Sequence, residues 1–246
     1  MTTSRRNFLI SASAAFASPL VAQTESPKPK QTISVFTKPF NSLSFDELAD
    51  RIAEIGFDGI EATVRSGGNV ESHEVEEKLP MLNEAIGKRG LEITIMTSDI
   101  NDPDYPITAK VLRTAATLGI KRYRIKYLRY NLSRGVIDQL NQWNAQLKDL
   151  AAINHDFGVR GLYQNHAGSG TLGSPIWDLH HVLRGIPTDD IAVAYDIRHA
   201  TVEGGQSWPI TFNMIRPLVD TVYVKDFDWG KGGPENVPLG QGRVQR

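Results

Sequence analysis

The sequence predicts an α/β protein, a (β/α)8 TIM-type barrel of parallel strands that lacks its final strand-helix unit because the chain ends early. From Thr32 onward, an amphipathic helix, a glycine and a short apolar strand recur, which is the pattern of parallel βα units. Seven or eight such units in one chain favour a closed barrel over a doubly wound sheet. No G-x-G-x-x-G follows the first strand, so nothing supports dinucleotide binding.

The first helix has the clearest signals. Ser44 and Glu47 have the spacing of a capping box, in which each side chain binds a free backbone N–H of the first turn. Apolar residues fall on one face of this helix, at Phe45, Leu48, Ile52 and Ile55. Gly56 is placed to end the helix in a left-handed conformation.

Later units repeat the pattern. The segments LNEAIGKRG and LRTAATLG predict two helices, and a longer one carries Val136, Leu140, Trp143, Leu147 and Leu150 at helical spacing. Ser174 and Pro175 predict an N-cap and first turn, and a weaker helix is expected near residues 209–214. Seven strands are expected, in TISVF, GIEATV, LEITIMTS, YRIKYL, RGLYQNH, IAVAYDIRH and TVYVKDF. The tail GKGGPENVPLGQGRVQR has no strand-like apolar run.

The N-terminus predicts export. Arg5 and Arg6 precede an apolar run from Phe8 to about Ala22, as in a twin-arginine signal peptide. This run is too short to span a bilayer, so we expect no stable membrane anchor. We therefore expect residues 1–30 to be a signal peptide and linker, residues 31–246 to be the barrel domain, and the twin-arginine machinery to deliver it to the periplasm or outside the cell.

The composition excludes several classes of protein. The chain has 246 residues, 40% of them hydrophobic, which suffices for a globular core. It has no cysteine, which rules out disulfides, zinc-thiolate sites and cysteine nucleophiles. The net charge of −1 and the absence of a basic block argue against nucleic acid as a partner.

Polar residues follow most of the predicted strands. Because the carboxyl ends of parallel strands meet on one rim of a barrel, we expect these side chains to line a pocket. Asp196 and His199, three residues apart, suit a divalent metal or a sugar hydroxyl. Lys225 suits an enolate oxygen, with pairing to Asp226 as the alternative. The other candidates are Glu61, Arg65, Lys126, Gln164, His166 and, for stacking on a sugar ring, Trp208.

Four segments together resemble the sugar phosphate isomerase/epimerase family with its xylose isomerase-like TIM barrel. They are GFDGIEATVR, LYQNHAG, YDIRHATVEGG and VYVKDF followed by PLGQG. The resemblance runs from about Thr32 to the end. It implies proton transfer between adjacent carbons of a ketose or keto-sugar through an enediolate, commonly with a divalent metal (Mn, Mg, Co or Zn).

The resemblance also assigns roles. It implies Asp196 as a metal ligand and His199 as a substrate contact. Gln164 falls where many members have a metal-binding, catalytic glutamate, and Tyr223 falls where many have a metal-binding histidine. A glutamine can offer an oxygen to a metal but cannot accept a proton at neutral pH. The base is therefore expected elsewhere, with Glu61, His166 and His199 as candidates.

Three alternatives to the metal-dependent isomerase or epimerase remain open. One is a keto-glycoside lyase of the same fold. Another is an exported sugar-binding protein that has kept the pocket and lost the chemistry, which the glutamine, the tyrosine and the missing eighth strand favour. The last is a nuclease of the same fold, which the acidic mature charge and the export signal disfavour; loss of Arg5 and Arg6 would bring the charge from −1 to −3.

Overall fold

The computed structural model describes residues 31–244. Seven strands form one parallel sheet in chain order, each paired with the next, which confirms the predicted barrel-type succession. The strands are β1 (Ser34–Phe36), β2 (Gly59–Val64), β3 (Glu92–Ser98), β4 (Arg122–Arg124), β5 (Arg160–Gln164), β6 (Ile191–Asp196) and β7 (Val219–Tyr223).

Helices connect the strands and lie between them in sequence, as the periodicity predicted. They are α1 (Phe45–Ile55), α2 (Val75–Gly87), α3 (Thr108–Thr117), α4 (Val136–Phe157), α5 (Trp177–Val182), α6 (Ile197–Gly204) and α7 (Trp208–Ile215). Within residues 31–244 there is no eighth parallel strand. An antiparallel hairpin of β8 (Asp226–Gly230) and β9 (Gly233–Val237) follows β7 instead. Its first two residues belong to the predicted strand TVYVKDF, whereas β9 lies in the tail where the sequence showed no strand-like run.

The first helix, α1, begins and ends at the residues that its sequence predicted. The Ser44 side chain accepts from the Glu47 backbone, and the Glu47 carboxylate accepts from the Ser44 backbone, so the capping box is complete. Gly56 ends α1 with φ 91°, a left-handed conformation that a side chain would strain. Leu48 and Ile52 are buried, whereas Ile55 is half exposed.

The two faces of the sheet differ in what they bury. The main hydrophobic core lies between the helices and one face, and Tyr123, Tyr163 and Tyr195 of the strands belong to it. The alternate residues of the same strands face the other way, because successive side chains of a strand point to opposite faces. On that inner face a small apolar cluster of Ile95, Leu162, Ala192 and Ala194 lies beside Tyr223, and charged residues follow it along the strands.

Two local predictions were wrong. Ser174 does not cap a helix: α5 begins three residues later, and the Ser174 hydroxyl donates to the backbone oxygens of His166 and Gly168. Val136, at the start of α4, is 46% exposed and does not join the apolar face formed by Leu140, Trp143 and Leu147. The predicted signal peptide and linker lie outside the described residues. Between residues 31 and 244 no helix has the length and apolar character needed to cross a bilayer.

Candidate active site

Asp196 is the centre of a polar group at the carboxyl ends of β5, β6 and β7. It is the last residue of β6 and is fully buried. Its Oδ2 accepts a hydrogen bond from Lys225 Nζ at 2.5 Å and another from Gln164 Nε2 at 2.7 Å. Its Oδ1 accepts from the backbone N–H of His199 at 3.1 Å, so Asp196 also caps α6. A buried carboxylate requires such partners, and Lys225 balances its charge.

Gln164 connects this ion pair to a second one. Its Oε1 accepts hydrogen bonds from Arg124 at 2.7 Å and from the Tyr127 hydroxyl at 2.5 Å. The Arg124 guanidinium also lies 3.4 Å from a carboxylate oxygen of Glu61. The glutamine amide therefore lies between a carboxylate, to which it donates, and a guanidinium, from which it accepts.

Glu61 and Arg124 are buried on the inner face of the sheet, 3% and 8% exposed. The Thr97 hydroxyl donates to the same Glu61 oxygen that faces Arg124. The guanidinium of Arg124 lies 5.0 Å from the ring centroid of Phe36 and 5.9 Å from that of Tyr223, a cation–π arrangement. Burial, followed by the charge of Glu61, raises the pKa of Tyr223 well above its ordinary value, so this phenol is neutral.

Two stacked histidines lie beside Asp196. The ring centroids of His166 and His199 are 3.9 Å apart, and the edge of the Tyr127 ring meets His166. Burial lowers the pKa of His166 below its ordinary value and that of His199 to about 3. Both imidazoles are therefore neutral at pH 7, and each has one N–H donor and one acceptor nitrogen.

Hydrogen bonds give the two histidines different tautomers. His166 Nδ1 lies 2.8 Å from the backbone oxygen of Ala167, which only an N–H can approach, so its Nε2 has the free lone pair. His199 Nδ1 accepts from Arg198 at 3.1 Å, so its Nε2 has the proton, and this nitrogen lies 3.7 Å from Asp196 Oδ2. His166 thus offers an acceptor and His199 a donor.

Arg198 links the histidines to the hairpin of β8 and β9. Besides His199, its guanidinium binds the backbone oxygen of Pro234 at 2.9 Å and lies 5.7 Å from the ring centroid of Phe227. Arg198 is 8% exposed. A single buried side chain therefore sets the tautomer of His199 and holds the hairpin beside the strand ends.

Asn165 has a structural role between the two central strands. Its Nδ2 donates to the backbone oxygen of Asp196 at 3.0 Å, and its Oδ1 accepts from the backbone N–H of Asp196 at 2.7 Å. These paired bonds continue the β5–β6 ladder beyond its last strand pair, Gln164 with Ala194. They fix the backbone from which the carboxylate of Asp196 projects.

Comparisons with known proteins decide the family. A family model described as xylose isomerase-like TIM barrel matches residues 49–245. The chain belongs to this xylose isomerase-like TIM barrel family. No curated protein sequence matches it significantly.

Solved structures share the xylose isomerase-like barrel at low sequence identity, so they support the fold alone. A probable 3-DHS dehydratase from Bacillus anthracis has a TM-score of 0.69 at 15% identity, over 87% of this chain and 86% of that one. A 3-keto-D-glucoside 4-epimerase from E. coli has a TM-score of 0.64 at 15% identity, over 80% of both chains. A xylose isomerase-like TIM barrel protein from Mycobacterium smegmatis, in complex with magnesium, has a TM-score of 0.65 at 10% identity, over 86% of this chain and 82% of that one.

The barrel brings most of the sequence-predicted site residues together. Glu61, Gln164, Asp196, His199 and Lys225 belong to one hydrogen-bonded or ion-paired group, and His166 stacks on it. The Lys225 ammonium pairs with Asp196, so the alternative pairing with Asp226 is wrong: the Asp226 carboxylate accepts from four backbone N–H groups of residues 227–244.

Within the described part of the chain, three predicted substrate contacts are not joined to that group by a hydrogen bond or an ion pair. Arg65 lies at the rim, its guanidinium 5.9 Å from the Phe36 ring centroid. Lys126 is 55% exposed, and its ammonium is 4.0 Å from Asp99. Trp208 does not lie at the site: its ring packs against Phe212, which contacts the outer-face ring of Tyr195. Trp208 was expected to stack on a sugar ring, but it is the first residue of α7, and its ring lies half-buried beside Phe212 instead.

The sequence analysis missed Arg124, Tyr127, Thr97 and Arg198. A signal was available for Arg124, because an arginine inside a buried strand is rare unless it is paired. Arg124 precedes the candidate Lys126 by two residues, so the alternation of the predicted strand YRIKYL would have assigned both to one face. Nothing in the sequence assigned Arg198 to His199, because neighbouring residues of a helix do not generally face each other.

The predicted divalent metal does not fit the described donors. Asp196 Oδ2 accepts from an ammonium and an amide, Gln164 Oε1 accepts from a guanidinium and a phenol, and a carboxylate oxygen of Glu61 faces Arg124. Within residues 31–244, no three histidine, aspartate or glutamate side chains converge as a metal site requires.

Proposed function

We propose that this protein is a sugar isomerase or epimerase that moves a proton on a carbon next to a carbonyl of a ketose or keto-sugar. Family membership and the sugar-acting enzymes among the structural neighbours support a carbohydrate substrate. The observation that carries the proposal is the neutral histidine pair beside the Lys225–Asp196 ion pair. This group offers a base and hydrogen-bond donors within one small volume.

His166 is the base in this proposal. Its Nε2 has a free lone pair at neutral pH because Nδ1 donates to Ala167 and because burial lowers the pKa. The C–H bond breaks, its proton moves to Nε2, and its electron pair forms the carbon–carbon double bond of an enediolate as the carbonyl π pair moves onto the carbonyl oxygen. Return of the proton to the neighbouring carbon, with the hydroxyl proton passing to the other oxygen, gives the isomer. Delivery of a proton to the opposite face of the original carbon, which requires a second donor, gives the epimer.

Lys225 and His199 stabilise the oxygen that gains charge. The Lys225 side chain is 39% exposed, so its ammonium can reach a ligand while it contacts Asp196. His199 Nε2–H is a neutral donor, since its Nδ1 is occupied by Arg198. Donors already positioned for an oxyanion lower the barrier to enolisation. Glu61, a candidate base, accepts from Thr97 and acts as the counter-charge of Arg124 in this proposal.

The test is deuterium exchange. The protein is incubated in D2O with a panel of ketoses and 3-keto-sugars, and NMR follows deuterium uptake next to the carbonyl and the products formed. His166→Asn keeps a donor for Ala167 and removes the base, so we expect exchange to fall by at least about 100-fold. His155→Asn is the matched control, because His155 is 77% exposed on α4.

Each outcome identifies a class of protein. Exchange that is lost in His166→Asn and kept in His155→Asn supports the proposal. Release of a leaving group from a keto-glycoside in the same spectra would favour a lyase instead. Tight binding of a sugar with neither exchange nor product would favour the non-catalytic sugar-binding protein and refute the proposal.

We also propose that the enzyme acts after export to the periplasm or outside the cell. The support is the Arg5–Arg6 pair and the apolar run that follows. Arg5→Lys/Arg6→Lys is expected to retain the protein in the cytoplasm, with Lys28→Arg as the control. Cell fractionation and N-terminal sequencing of the exported form measure this, and an unchanged distribution would contradict it.

A further inference from the structure

We infer that the cation of this site is the Lys225 ammonium and that the protein works without a divalent metal. This inference deepens the proposed function, on which its chemical consequence rests. Lys225 Nζ lies 2.5 Å from Asp196 Oδ2, the contact that a metal ion would make with the predicted ligand. The Gln164 amide and the His199 backbone N–H occupy further lone pairs of the same carboxylate.

The second carboxylate of the site is neutralised in the same way. Glu61 faces Arg124, so the two buried negative charges of the site are balanced by two positive side chains of the same chain. A divalent ion would add two positive charges to a group whose two carboxylates are already paired with cations and which also contains Arg198. It would also have to displace Lys225, which would leave the ammonium close to the metal.

The amide of Gln164 matches this arrangement. A group between Asp196 and Arg124 must donate to the carboxylate and accept from the guanidinium, and an amide does both. A glutamate at this position would place two carboxylates in contact, which is favourable only with an extra cation. Glutamine at residue 164 and lysine at residue 225 therefore fit together as one charge arrangement.

The experiment measures metal binding without substrate, so its result is independent of whether the proposed reaction is correct. The full protein is dialysed against EDTA and then against Mn²⁺, Co²⁺ or Zn²⁺, and bound metal is measured by elemental analysis and titration calorimetry. We expect no stoichiometric site in the wild type. In Gln164→Glu/Lys225→Met, which adds a carboxylate and removes the ammonium, we expect at least about 100-fold tighter Mn²⁺ binding.

Two controls make the result specific. Gln206→Glu/Lys231→Met makes the same charge change at two exposed positions and should not create a site. Adding Asp196→Asn to the double variant should abolish its metal binding. One Mn²⁺ per wild-type chain that Asp196→Asn removes would overturn the inference, as would a folded double variant that binds no metal. If the double variant does not fold, the wild-type measurement decides alone.

Any activity found in the exchange assay adds a separate readout. Exchange that survives EDTA treatment unchanged supports the inference, whereas exchange restored only by added metal overturns it. Absence of exchange with every sugar would refute the proposed function and leave the metal measurement valid.

Discussion

Replacing Arg124 by methionine should destabilise the protein because it leaves Glu61 charged and buried. Methionine retains most of the aliphatic length that packs near Phe36, so the main loss is charge. Glu61 is 3% exposed and would keep the Thr97 hydroxyl as a partner but lose the guanidinium that faces it. Breaking a buried ion pair by removing one member costs about 3–5 kcal/mol.

The reverse change, Glu61→Gln, should cost less. Arg124 would keep its hydrogen bond to Gln164 and its position over two aromatic rings, so we expect the lower end of the range, about 3 kcal/mol. The double variant has no unpaired charge. It loses mainly neutral hydrogen bonds, and we expect a cost of about 1–2 kcal/mol.

Urea unfolding followed by circular dichroism at pH 7 measures the four proteins of this cycle. The double variant should be more stable than the sum of the single changes predicts, by at least about 3 kcal/mol. The slope of free energy against urea should stay constant, so that the differences report stability. Additivity within about 0.5 kcal/mol would refute the view that Glu61 and Arg124 neutralise each other.

Three further predictions concern parts of the chain away from the site. Burial alone would raise the pKa of Asp220, but bonds from Arg122 and Arg160 outweigh it and hold the pKa below its ordinary value. Asp220 therefore stabilises the fold above about pH 4, and this contribution is lost as the pH falls through the folded-state pKa. Urea midpoints should fall less between pH 7 and pH 3 in Asp220→Asn than in the wild type; equal losses would contradict this. Leu150→Ala should cost about 2–5 kcal/mol in urea unfolding, since Leu150 is fully buried, and a cost under about 1 kcal/mol would be inconsistent with that packing. Ser44→Ala should cost about 1 kcal/mol by the same measurement, whereas Ser44→Asp should restore the cap, and a neutral alanine variant would show that the capping box is unimportant.

The fold could be predicted largely because one local pattern, an amphipathic helix, a glycine and a short apolar strand, repeats along the chain. The amphipathic helix from Phe45 to Ile55 has its cap, its apolar face and its terminating glycine within a few residues, so neighbouring side chains determine it. The hairpin of β8 and β9 could not be predicted in this way. Its β8 strand alternates polar and apolar residues over only four positions, and its anchoring contacts join residues far apart in sequence, Arg198 with Pro234 and Asp226 with the loop after the hairpin.

The candidate site could be predicted only as a set of strand ends. Parallel topology placed Gln164, Asp196 and Lys225 on one rim. Which groups contact each other depends on side-chain reach and charge across strands that are far apart in sequence. The pairing of Lys225 with Asp196, rather than with its neighbour Asp226, illustrates this, because Asp226 is occupied by four backbone N–H groups.

The hairpin and the loop after it are fastened through main-chain atoms. Arg198 donates a hydrogen bond to the backbone oxygen of Pro234, and the Asp226 carboxylate accepts from backbone N–H groups as far along the chain as Val244. Substitution of most side chains in this segment therefore leaves both sets of hydrogen bonds in place. Gly242 is an exception, because a Cβ there would collide with the Asp226 carboxylate. The exposed side chains of the hairpin beside Asp196 and His199 can therefore vary while the barrel, the main-chain anchors and the charge arrangement stay the same.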